Sequence, residues 1–93
     1  MAVGSEGRRR ERRGRVAAQF GAEHVEAVLD VLHLTDMAWH DCYAPQLEIE
    51  PRVLDDVLLC AGGDLVALIR VARMAVLDFR DVRVEADAIR RER

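Results

Sequence analysis

Both prolines of this chain, Pro45 and Pro51, fall in one short stretch, and on either side of it apolar residues recur at helical spacing. Proline removes a backbone donor and clashes with the preceding turn, so helices end before the first and can restart at the second. This punctuation predicts an all-α chain with a break in its middle.

Before the break, a projection at about 100° per residue gathers Val25, Val28, Leu29, Leu32, Trp39 and Tyr43 on one side of a helix expected over Val16 to Tyr43. Gly21 weakens its opening, so the firm part is expected from Ala22 onward. Glu23, Glu26, Asp30, His33, His40 and Asp41 form a polar arc only about 100° wide, while Ala27, Val31, Leu34 and Ala38 widen the apolar surface.

Ala44 to Glu50 reads as a connection. A short second helix is expected from Pro51, with Val53, Leu54, Val57, Leu58 and Ala61 on its apolar face and Gly62–Gly63 closing it. Asp64 suits an N-cap, and Leu65, Leu68, Ile69, Ala72, Val76 and Phe79 predict a long third helix continuing toward Arg93. The fold expected is a small helical bundle of two long helices and one short connecting helix, completed by dimerisation.

Charge divides the chain unevenly. Residues 1–15 carry six arginines and two glutamates, +4, whereas residues 16–93 carry eight arginines and fifteen acids, −7; no lysine occurs. The first segment has almost nothing to bury, so it is expected to be a disordered basic arm in front of a helical domain spanning 16–93. Its Arg8, Arg9, Arg10, Arg12, Arg13 and Arg15 are candidates for contact with nucleic acid or an acidic partner, and its removal is expected to leave the fold intact.

No stretch has the length of a signal peptide's apolar core or a membrane span, and Cys42 and Cys60 lack metal or redox spacing. The expectation is a soluble cytoplasmic protein with reduced thiols and no membrane partner.

Little points to catalysis. Ser5 and Thr35 are the only hydroxyls besides Tyr43, and no phosphate loop or nucleophile motif occurs. Asp30 with His33, and Asp36 with His40, have spacings at which two side chains on one helix can share a metal, although a solvated polar face is the favoured explanation. No cofactor is expected.

The second helix, glycine turn and third helix have the length of a helix-turn-helix. Asp64, Leu65, Val66 and Ala67 would nevertheless offer the major groove an acid and apolar groups instead of donors.

Asp36 is the most informative acid. It falls in the middle of the stripe made by Val25, Leu29, Leu32 and Trp39, where a carboxylate needs a partner, and Arg52, Arg70 and Arg73 are candidates by position. Phe20, Val31, Leu34, Trp39, Val66, Met74 and Leu77 exceed what three helices can cover and are the expected interface residues. The reading is a small non-enzymatic interaction module, a homodimer with a regulatory or adaptor role. The alternative is a nucleic-acid-associated protein using the arginine arm, and the third reading is a metal-dependent helical-bundle enzyme.

Overall fold

The computed structural model of the chain describes residues 5–92. They fold as four helices, α1 (Ser5–Phe20), α2 (Val25–Tyr43), α3 (Pro51–Ala61) and α4 (Leu65–Arg91), with a 3-10 turn at Ala22–His24. The all-α architecture is as expected from the periodicity.

The division of the first half differs from the expectation. Gly21 takes φ 90°, a conformation that side chains disfavour, and there the chain reverses instead of continuing one long helix. Arg13 pairs with Glu26 and Arg9 with Asp30, a register in which one helix descends as the other rises. α1 and α2 are therefore an antiparallel hairpin.

Residues 5–15, expected to be a disordered arm, are the first part of α1; Met1 to Gly4 lie outside the described residues. The physical reason is that the arginines are not alone. The row of Arg12 continues one and two turns later into Val16 and Phe20, both buried in the core. Two apolar anchors and a set of ion pairs hold the segment down, so removing residues 1–15 would strip partners from the body, contrary to the expectation that the fold ignores them.

α3 and α4 form the second hairpin. Pro51 occupies the first turn of α3, and Gly62 and Gly63 turn the chain with positive φ. Asp64 caps α4 by accepting from the Ala67 N–H at 3.2 Å, as its position predicts. α2 packs across α4, and the core between the hairpins is built on Leu32, Leu58, Leu68, Val28, Val57 and Val71. Ile49, from the connection, is as deeply buried as these.

α4 is interrupted at Asp78, whose backbone is extended (φ −161°, ψ 98°). A break there disturbs the i→i−4 ladder, which in a regular helix would join the N–H of Arg80 to the carbonyl of Val76. Both are satisfied. Arg80 N–H donates to Asp78 Oδ1 at 3.1 Å, and the Tyr43 hydroxyl donates to the Val76 carbonyl at 3.2 Å. Asp78 thus acts as an internal N-cap, and a cluster of Trp39, Tyr43 and Phe79 rings fills the bend.

Candidate interaction surface

Asp36 is a deeply enclosed polar group, 2% exposed in the middle of α2. A carboxylate there must have its lone pairs occupied. Arg12 forks onto it, Nη1 to Oδ2 at 2.8 Å and Nη2 to Oδ1 at 3.1 Å, and the Ile49 N–H donates to Oδ1 at 3.0 Å. Arg8 Nε stands 3.5 Å from Oδ2 and 3.6 Å from Glu48, completing a charge cluster without making a hydrogen bond of its own.

Burial and arginine pairing of Asp36 match the expectation, but the partners do not. Arg52, Arg70 and Arg73 are exposed, and the fork comes from the segment read as an arm. The i, i+4 spacing of Arg8 and Arg12 was a signal for this.

Three more arm arginines are also engaged. Arg9 reaches Glu26 at 2.8 Å and Asp30 at 3.0 Å, Arg13 pairs with Glu26, and Arg15 reaches Asp55 at 2.8 Å. Arg10 is exposed and outside these pairs. Five of the six arginines proposed to meet phosphate thus face acids of this chain.

Glu26 receives two guanidiniums, first Arg13 and then Arg9, and they hold its carboxyl at about 2, well below the ordinary 4.5. A depressed carboxyl pKa stabilises the fold above the unfolded value and stops doing so in acid. The hold of α1 on α2 through Glu26 is therefore complete above pH 4.5 and is lost as pH falls from there through about 2. Amide hydrogen exchange in α1 should accelerate across that window, and the Glu26→Gln variant should lack this part of the acid response.

A second buried acid escaped the sequence reading. Asp56, on α3, is 1% exposed, with Arg83 Nε and Arg90 Nη2 each at 2.7 Å. The available signals were its place three residues after Val53 and two arginines two turns apart on α4. Nearby, burial pushes the Cys60 thiol up to about 11, which keeps it protonated and unreactive at neutral pH. Cys42 is exposed; both cysteines are free.

The metal candidates are not brought together. Asp30 is committed to Arg9 and Asp36 to Arg12, while His40 donates from Nδ1 to the Gln46 carbonyl at 2.8 Å. His33 lines the same cleft as Asp36, but Arg8, Arg9 and Arg12 line it too and supply positive charge where a cation would sit. Among the described residues no group of three or more His, Cys, Asp or Glu side chains is placed to hold a metal ion.

The expected interface residues separate into two sets. Phe20 and Trp39 are core, so their assignment to an interface is corrected: Phe20 lies in the core cluster, and Trp39 donates from Nε1 to Gln46 Oε1 at 2.6 Å beside Tyr43. Projection of a single long helix placed Phe20 outside because it did not include the reversal at Gly21. Val31 and Met74 are half-buried against the core, and Leu34, Val66 and Leu77 are exposed.

Between α2 and α4 lies an apolar groove of about 430 Å³ whose walls include Val31, Leu34, Ala38, Ile69, Val76 and Leu77. Leu34 is 63% and Leu77 67% exposed along it. Exposed single leucines are ordinary, whereas here several apolar side chains of two helices line one continuous groove.

The described residues therefore form two helical hairpins held by internal arginine–carboxylate clusters, with an uncovered apolar groove between α2 and α4. Comparison with protein-family models, curated proteins and solved structures found no match. No helix of the described residues is long and apolar enough to cross a membrane.

Proposed function

We propose that this chain is a small helical protein-interaction module that works by self-association, with a regulatory or adaptor role and no chemistry of its own. The observation that supports it is the α2–α4 groove, whose walls stay apolar although the hairpins around it are complete. Apolar surface of this kind gains free energy when a partner removes it from water, at about 25 cal/mol per Å². A second copy completes a bundle with the fewest additional assumptions.

The nucleic-acid reading is less well supported, because the arginines it needs are paired with Asp36, Glu26, Asp30 and Asp55. Light scattering tests the proposal. Twice the chain mass is expected at tens of micromolar, with a melting temperature that falls on dilution, since a dimer's stability is linked to concentration. A chain of single mass with a concentration-independent melt would refute self-association.

A further inference from the structure

The outer rows of α2 and α4 have the same period and reciprocal chemistry. On α2, Asp30, Leu34, Met37 and Asp41 follow at i, i+4, i+7 and i+11; on α4, Val66, Arg70, Arg73 and Leu77 follow at the same intervals. All eight are exposed. Alternating steps of four and three keep a row turned toward one neighbouring helix and define the seam of a helical coil.

One row is apolar in the middle with an acid at each end, and the other is basic in the middle with an apolar residue at each end. Among the described residues Asp41, Arg70 and Arg73 belong to no ion pair, although most of the chain's other charges do. Arg73 also lines the apolar groove, and Asp41 stands one turn beyond Ala38 on its other wall. Unpaired charge of opposite sign thus borders one uncovered apolar surface on its two sides.

We propose that the groove is occupied by a second copy of this chain in a two-fold arrangement, the α2 row of each protomer lying on the α4 row of its partner, with Asp41 and Arg73 setting the register. This rests on the self-association proposed above and names its surface. A two-fold axis makes every contact twice, so a chain carrying both an acid on one row and a base on the other supplies both members of each pair. Antiparallel rows offset by one turn place Asp41 across from Arg73 and Met37 across from Leu77. The four helices then form a second core over the groove, with two charge pairs at its rim. An unrelated helix would have to supply this same pattern, which the chain already carries.

The test is a charge exchange read by sedimentation equilibrium on the full chain. Asp41→Arg alone and Arg73→Asp alone should each weaken the dimer about tenfold, because like charges then face one another twice per dimer. Asp41→Arg combined with Arg73→Asp should return affinity to within about threefold of the parent. Leu34→Asp with Leu77→Asp should give a monomer of unchanged helicity; if that variant does not fold, the two exposed charge reversals decide. A parent dimer that tolerates all of these substitutions, or an exchange that restores nothing, overturns this surface while leaving self-association standing. A monomeric parent chain removes both and leaves the groove to a different protein.

Discussion

The Asp36→Ala variant is expected to lose roughly 3 to 5 kcal/mol of folding stability, the usual result of removing one partner from a buried charge cluster. The loss is large because of what remains. Arg8 and Arg12 have side chains only 12% and 11% exposed, so their guanidiniums cannot recover water without moving α1, and the Ile49 N–H loses its acceptor as well. α1 and the connection after α2 should therefore loosen together, seen as faster amide exchange in both.

Asp56→Ala is the control. Its arginines, Arg83 and Arg90, are 35% and 43% exposed and can turn to solvent, so that cost should be nearer 1 to 2 kcal/mol. Urea unfolding of the two variants measures the difference. Equal losses would mean that burial of the partners does not govern the effect, and a loss below about 0.5 kcal/mol at Asp36 would contradict the cluster.

The second large effect concerns the turn between α3 and α4. Gly63 has φ +81°, and a Cβ added there would stand 2.6 Å from the Gln19 carbonyl oxygen, a backbone atom in the last turn of α1. Two penalties combine in Gly63→Ala: left-handed strain of about 1 kcal/mol and a clash that either hairpin can relieve only by shifting. The shift would strain the neighbouring bond from Gln19 Nε2 to the Leu58 carbonyl, at 2.6 Å. A loss of about 2 to 4 kcal/mol is expected.

Gly62→Ala separates the two penalties. Gly62 has φ +59° with open space around it, so it should show the strain alone, about 1 kcal/mol. Thermal melts of the pair give the comparison, and similar melting temperatures would show that the approach of α1 to the turn carries no constraint.

Both experiments probe contacts between residues far apart in the chain, and there the sequence was least legible. Helix α3 and the start of α4 could be read almost to the residue, because Pro51, the glycine pair and Asp64 act within one or two turns of where they stand. Asp36 could be recognised as buried and in need of an arginine from its place in the apolar stripe. Its donor could not be chosen, since Arg12 is 24 residues away and reaches it only after the chain reverses at Gly21.

The same limit produced the disordered arm. A run of arginines has nothing local to bury, and helical order comes to it from acids on α2 and from Val16 and Phe20 seated in the core. Asp78 belongs to this class too. A continuous helix and a capped break suit its sequence equally, and the Tyr43 hydroxyl is positioned to take the carbonyl that the break releases.

By itself, then, the sequence determined the all-α class, the helical phase of α2, α3 and the first part of α4, and the need of Asp36 for a counter-charge. These depend on periodicity and on turn and cap chemistry, which act over three or four residues. The tertiary structure alone decided which arginines answer which acids, that α1 is a helix, and which apolar residues stay uncovered. Each of these depends on how one hairpin lies against another, and a helical projection specifies the direction of a side chain without naming what stands opposite it.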